Sequence, residues 1–555
     1  MINTTPTISY NYPTSYLHPK QYTPSVNIQE TPPKNNYDVN IYPAQTSSLY
    51  YDPQPNELTH TSWFYVNDVH GKMTKMERIV NVAKEFVTTP SSTAFPNFFT
   101  NSTENISKFK VNSGDILIGA NQKNNKVASE FLRWCEFDAS IPGNHEFDVP
   151  NPETLAQLIQ DTNCTFLAAN IKVKSGSPLE GRFESSKIIE RDGQKYGLIG
   201  ISPSDMLERV KMNPSMADIE VQNIEDTINS IKNEVKAIQA QGINKIILLS
   251  HSGLENDKKI AKEVEGIDII FSAHTHDLIK DIKQGKNLFY SKKGEPVVIT
   301  QAGKDGENAG VLNVDFDKNG VIKKVQNNII DINNYNRPLH IKDSVEKIIG
   351  KPDIVAIVKS AIAPPKHRLI EDNPHGNIIA DAMRNELGTD IALLNAGNIR
   401  GHFSEGKVDT RLVADITPFE DNMMVINVTE KQIIDAIKVG LASLNNNSMK
   451  PGIMLVSGMK YTCDKKGNLI SAEFIDKNGK SHAIDVNNPS ETKKYTVATD
   501  DFIATGGDNY FPSNPNPDYV VQTYNLDKNK LACDYLKKFN EPIEIKSDGR
   551  IKIID

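Results

Sequence analysis

From about residue 60 to 330, short apolar runs that end in polar clusters alternate with stretches whose apolar residues recur every three to four positions. Strands and helices in turn leave that trace, so the pattern predicts a layered α/β domain. Residues 63–66, 245–249 and 267–271 read as strands. Between 224 and 238, Ile224, Ile228, Ile231, Val235 and Ile238 keep the helical period and Gly242 follows as a stop, which predicts a helix with one face on a sheet.

The pattern weakens over 331–365, where Asn, Lys and Pro surround one helical stretch near 345–349, as in a connector between domains. A second domain is expected over 366–545. Within it, Thr429 and Gln432 form a capping-box pair ahead of Ile433, Ile434, Ile437 and Leu441, predicting an amphipathic helix. Residues 1–55 hold 8 of the 18 tyrosines and 9 of the 30 prolines and show neither period, so a disordered leader is expected there.

Two domains suit a chain of 555 residues, which exceeds what one hydrophobic core usually organises. A formal charge of −8 excludes general electrostatic capture of a nucleic-acid polymer, so an anionic substrate would need local positive charge such as metal ions. No apolar run of about 18 residues predicts a transmembrane helix, and the first residues lack the basic-then-apolar order of a secretory signal. Cys135, Cys164, Cys463 and Cys533 lack the paired spacing of zinc sites or disulfide scaffolds and read as buried thiols.

Several polar clusters sit where apolar runs stop, the usual place for ligands in open α/β sheets. Asp68-Val69-His70-Gly71 follows the run at 63–66. Asp and neutral His both ligate divalent metals, and a one-residue gap in an extended chain would point both side chains the same way. Alone, that cluster reads more readily as a turn. Gly114-Asp115 and Gly143-Asn144-His145-Glu146-Phe147-Asp148 come next, then His251, then Ala273-His274-Thr275-His276. An Asp can bridge two cations, an Asn carbonyl ligates without adding charge, and a His beside an Asp can be held as a proton donor. Together Asp68, His70, Asp115, Asn144, His251, His274 and His276 are enough for two cations sharing one carboxylate.

In this order the clusters resemble the calcineurin-type metallophosphatases of the 5'-nucleotidase family, over roughly residues 60 to 525. The resemblance implies a four-layer αββα metallophosphatase sandwich over 60–330, then a smaller mixed α/β nucleotide-binding domain. It implies two divalent ions of the Zn, Mn or Co kind. Asp68, His70, Asp115 and His276 would hold one, Asp115, Asn144, His251 and His274 the other, with His145 and Asp148 as the catalytic dyad. Ala273 stands where the family usually has Gly, and family members usually work outside the cytoplasm.

Four later segments resemble the family's substrate-binding domain: 395–400, Pro418-Phe419, Ser457-Gly458 and 501–508. By position Phe419 and Phe502 resemble the pair that sandwiches the base, Asp508 the ribose-hydroxyl acceptor, and Asn395 and Arg400 further polar contacts. Stacking gains roughly 1 to 3 kcal/mol per base with little regard to which base it is, and glycines beside Asp508 would let backbone approach the ligand. Arg368 falls one residue from the register of the family's phosphate-side arginine. The implied activity is hydrolysis of nucleoside 5'-monophosphates. Alternatives are a 2',3'-cyclic nucleotide phosphodiesterase with 3'-nucleotidase activity, a UDP-sugar or dinucleotide pyrophosphohydrolase, a sulfur-oxidising relative, and a nucleotide-binding surface protein without catalysis. Asp148 favours the 5'-monophosphate activity, since the cyclic-phosphodiesterase relatives tend to carry Asn there.

Overall fold

The computed structural model describes residues 39–40, 58–88, 106–118, 121–210, 213–335, 341–419, 421–446, 449–511 and 519–555. The leader expected over 1–55 lies outside them except for Val39–Asn40, which pair antiparallel with the strand Ile322–Asp331.

In the N-terminal domain two sheets face each other. The first runs Val39–Asn40, Ile322–Asp331, Asn308–Phe316, Thr59–Val66, Ile106–Asn112. The second runs Leu288–Tyr290, Pro296–Thr300, Ile269–Phe271, Ile246–Ser250, Gln194–Ile201, Ser186–Arg191. Period-two alternation sorts their side chains. Trp63 and Tyr65 point between the sheets with Phe109, Leu249, Phe271 and Leu312, and Trp63 stacks on Phe109 at 4.0 Å. Phe64 and Val66 point outward, against Ile79 and Val80 of the helix Met73–Thr88 and Phe131 of Gln122–Cys135. On the far side Ile246, Leu248 and Ile270 meet Ile231 and Val235 of Ile224–Gln239 and Ile260 of Leu254–Glu263. The layer order is therefore αββα. Strands covered on both faces must be apolar throughout, which is why these runs stood out in the sequence.

The helix expected at 224–238 spans Ile224–Gln239, capped by Asn223. The strands expected at 245–249 and 267–271 are Ile246–Ser250 and Ile269–Phe271, and the helix near 345–349 is Lys342–Ile349.

The C-terminal domain centres on a mixed sheet in the order Met454–Ser457, Ile391–Asn395, Lys494–Asp500, Met423–Thr429, Val520–Tyr524. The helices Pro374–Leu387, Glu430–Leu441 and Lys528–Leu536 share its core. The capping box forms at Glu430–Leu441: Gln432 N donates to Thr429 Oγ1 at 3.2 Å and Thr429 N to Gln432 Oε1 at 2.8 Å. Ile354–Ala361, within the expected connector, pairs with Gly406–Asp409 and Ile543–Ile545, so the second domain's strands begin inside that segment.

The domains are tied where the site forms. Met73–Thr88 has its first turn capped by the other domain: Met73 N donates to Asp415 Oδ1 at 3.1 Å and Thr74 Oγ1 to Asp415 Oδ2 at 2.6 Å. One turn along, Arg411 Nη1 reaches Glu77 Oε1 at 2.8 Å, and the Lys72 ammonium donates to the Asp415 carbonyl. A buried carboxylate accepting from a helix N-terminus satisfies donors the helix cannot satisfy itself.

Candidate active site

Thr59–Val66 and Ile106–Asn112 are parallel neighbours in register, Val66 beside Asn112, and deliver Asp68 and Asp115 at their carboxyl ends. In the facing sheet the parallel strands Ile246–Ser250 and Ile269–Phe271 deliver His251 and then His274 and His276. Ser113 Oγ donates to Phe271 O at 2.8 Å, joining the two strand ends across the sheets.

Asp68 and His70 do not lie on extended backbone. Their φ values are 50° and 51°, and Asp115, His274 and His276 are also left-handed at 53°, 77° and 63°. The segment after Asp68 is zipped to the Asp115 loop by Asp68 N to Gly114 O at 3.0 Å, His70 N to Asp115 O at 2.9 Å and Gly71 N to Ile116 O at 2.7 Å. The two side chains converge because these turns hold a conformation costly for residues with a Cβ, not because of strand geometry.

Three overlapping groups result, in each of which the ligand atoms lie within 4.8 Å of one another: Asp68, His70, His276; His70, Asp115, His145; and Asp115, His251, His274. Asp115 Oδ2 is 3.1 Å from His251 Nε2 and 3.5 Å from His70 Nε2, so one carboxylate faces both histidines. Asn144, between Gly143 and His145, lines the same space as Asp115 and His274. His70 Nε2, His251 Nε2 and Asn144 Oδ1 are buried without a hydrogen bond, an arrangement costly in a dry core and natural for atoms that ligate a cation. The donor set of carboxylate, imidazole and amide oxygen fits a divalent metal.

The electrostatics agree. Burial would lower the imidazolium of His70, yet Asp115 and Asp305 raise it to about 9, and Asp115 and Asp68 likewise raise His251 to about 10. Burial opposes the charge of Asp115, yet the histidines hold its carboxyl well below the usual range. Burial instead lowers His276, so the net effect is of buried aspartates supplying negative charge among the imidazoles, which favours a cation there.

His145 and Asp148 sit at this rim, with His145 Nδ1 hydrogen-bonded to Asp148 Oδ2. His145 N donates to Asp115 Oδ1 at 2.8 Å, so the dyad is registered to the shared carboxylate. Its ring lies 5.1 Å from that of His70.

Two residues without an assigned role in the sequence are built into the site. Glu146, buried, accepts from four backbone amides: Asp115 at 2.9 Å, Ile116 at 2.7 Å, Leu117 at 3.2 Å and Gly143 at 2.7 Å. It clamps the loop of the shared carboxylate to the loop carrying Asn144. Asp305 Oδ1 lies 3.0 Å from His70 Nδ1 and leaves Nε2 facing Asp115, while its own amide donates to Asp68 O at 2.6 Å. Gly143 is required by space, since a Cβ there would lie 2.2 Å from Asp115 Oδ1.

A cavity of about 380 Å³ runs from this cluster into the C-terminal domain. Asp115, Asn144, His145, Asp148, His274 and His276 line one side, and Arg368, Asn395, Arg400, Phe419, Phe502 and Asp508 the other. Arg400 Nε donates to Gly397 O at 2.8 Å and its guanidinium lies 5.2 Å from the Phe419 ring centroid. Arg368 reaches the cavity despite its shifted register. Its Nη1 is buried without a hydrogen bond, and burial together with the charge of Arg400 lowers it to about 9. A Cβ on Gly507, just before Asp508, would lie 2.7 Å from the Phe502 ring, so this glycine makes room for that ring.

Residues 64–278 match the calcineurin-like phosphoesterase model and 357–513 the 5'-nucleotidase C-terminal domain model. The chain belongs to the 5'-nucleotidase family. It is 26% identical to the trifunctional nucleotide phosphoesterase protein YfkN of Bacillus subtilis over 90% of its own length, but spans only 35% of that protein. It is 26% identical to human 5'-nucleotidase over 69% of its length and 71% of the relative's. The fold matches the crystal structure of a 5'-nucleotidase precursor from Thermus thermophilus with a TM-score of 0.67 at 21% identity, covering 89% of this chain and 99% of that one. Members of the 5'-nucleotidase family are phosphoesterases that use divalent metals, and the Asp and His groups here can hold them. No helix among the described residues is long and apolar enough to cross a membrane.

Proposed function

We propose that this protein hydrolyses nucleoside 5'-monophosphates at a centre of two divalent ions bridged by Asp115. The observation that carries the reading is the single cavity with a metal-ligand cluster on one side and two phenyl rings, an arginine pair and Asp508 on the other. That layout suits a ligand with a phosphate at one end and a flat base at the other. Asp68, His70, Asp115 and His276 would hold one ion, and Asp115, Asn144, His251 and His274 the other. Divalent ions held there would supply Lewis-acid charge beside the phosphate and acidify a bound water.

The chain's own residues do the remaining work. Arg368 and Arg400 crowd two positive charges against one wall, a repulsion that a phosphate relieves, so they favour an anion at the cavity's centre. His145, held by Asp148, presents its second ring nitrogen for donating a proton to the leaving ribose oxygen. Phe419 and Phe502 stack the base, Asp508 accepts from the ribose hydroxyls, and Asn395 adds a polar contact.

The name of YfkN, a trifunctional nucleotide phosphoesterase, supports a second reading in which the same site also opens cyclic and 3' esters. Side-by-side assay of AMP, 3'-AMP, cyclic 2',3'-AMP and UDP-glucose with Mn²⁺ tests both. The proposal expects the highest kcat/KM on AMP. Preference for UDP-glucose or for a cyclic ester overturns it.

A further inference from the structure

Phe419 lies on a loop and Phe502, 43% exposed, on the separate short helix Asp501–Ala504, so packing alone does not hold their spacing. Beneath both segments lies Lys528, fully buried at the start of the helix Lys528–Leu536. Its Nζ donates to Phe419 O at 3.3 Å and to Asp421 Oδ2 at 2.9 Å, and lies 3.5 Å from Asp500 Oδ2. Two hydrogen bonds and an ion pair thus hold the ammonium in place.

Asp500 passes the link onward. Its Oδ1 accepts from Ile503 N at 2.9 Å, capping the short helix Asp501–Ala504 on which Phe502 sits. Its Oδ2 accepts from Asn398 Nδ2 at 3.1 Å, and Asn398 Nδ2 also donates to Asn395 Oδ1. One cation thus contacts the Phe419 segment directly and, through a capping carboxylate, both the Phe502 helix and Asn395. A buried ion pair contributes little net stability compared with apolar packing, so its clearest effect here is on placement.

We propose that Lys528 is a positioning residue that sets the spacing of Phe419 and Phe502 and thereby governs nucleoside affinity. The inference rests on the nucleotide reading of the cavity and deepens it. It locates control of nucleoside affinity in the C-terminal domain's interior, apart from the candidate metal cluster.

The test compares wild type with Lys528→Met and with the double variant Lys528→Met/Asp500→Asn. The double variant leaves no unpaired carboxylate at Asp500 and keeps an Asn able to cap the helix, so it guards against loss of folding. Steady-state kinetics are measured with AMP and with p-nitrophenyl phosphate, which has neither base nor ribose to place. The expected result in the folded double variant is a KM for AMP raised about tenfold, the loss of roughly one stacking contact, with kcat on AMP and turnover of p-nitrophenyl phosphate within twofold of wild type. An unchanged KM, or equal losses on both substrates, overturns the role of Lys528. Wild type that turns over p-nitrophenyl phosphate but not AMP instead overturns the nucleotide reading.

Discussion

Replacing Glu146 with Gln probes the join between the two loops that carry Asp115 and Asn144. Glu146 Oε1 accepts from Ile116 N at 2.7 Å and Leu117 N at 3.2 Å, and Oε2 from Asp115 N at 2.9 Å and Gly143 N at 2.7 Å. A glutamine has one oxygen, so whichever way it turns, an NH₂ faces two backbone N–H groups. Each buried donor left unsatisfied costs about 1–3 kcal/mol, so the pair costs roughly 2–6 kcal/mol. The cost falls on local opening of these loops, since the carboxylate's hydrogen bonds are to their backbone amides. At 1.4 kcal/mol per factor of ten, even the lower bound raises the open population about 30-fold. Native-state hydrogen exchange on peptides covering 113–118 and 141–148 measures this directly. Exchange there should accelerate at least about 30-fold while the helix Ile224–Gln239 keeps its protection. Metal affinity should fall together with it, by about 10- to 100-fold, as for other outer-shell partners. Unchanged protection of both peptides would refute the assignment of Glu146 as the clamp.

Gly143→Ala forces its Cβ to within 2.2 Å of Asp115 Oδ1 and 2.7 Å of His251 Cε1, so metal retained after dialysis should drop sharply while far-UV circular dichroism is unchanged. His145→Ala should lower kcat on AMP by about 10²- to 10⁴-fold with metal content intact, read by elemental analysis beside kinetics. Without metal, His70 and His251 hold protons to about pH 9 and 10 in the folded protein against an unfolded value near 6.5. The folded state thus binds more protons, and the metal-free protein should lose stability as pH rises from about 6.5 through 9 to 10, in melting curves recorded with chelator. Metal displaces those protons, so its affinity should rise over the same range.

Much of the fold was legible because sheets buried on both faces need uninterrupted apolar runs, and Trp63 to Val66 or Ile246 to Leu249 show them plainly. The convergence of the candidate ligands was legible for a related reason: metal chemistry restricts residue type, and such residues stand where the apolar runs stop. What the sequence left dark are groups whose partners lie far along the chain or on the backbone. Glu146 bonds only amides, including those 29 to 31 residues away, Asp305 meets His70 across 235 residues, and Lys528 meets Phe419 across 109. A lone Glu, Asp or Lys in sequence reads as solvated surface until its neighbours are known. The extended-chain argument for Asp68 and His70 failed because positive φ angles, not strand geometry, aim those side chains. At Gly507 nothing in the sequence signals that the space a Cβ would need is taken by Phe502.

Metal stoichiometry tests the shared role of Asp115 most directly. After equilibrium dialysis against Mn²⁺, elemental analysis should find two ions per wild-type chain and well under one per chain for Asp115→Ala, since its Oδ2 faces both histidine groups. One ion per wild-type chain, or two retained by Asp115→Ala, would contradict a centre built around that carboxylate.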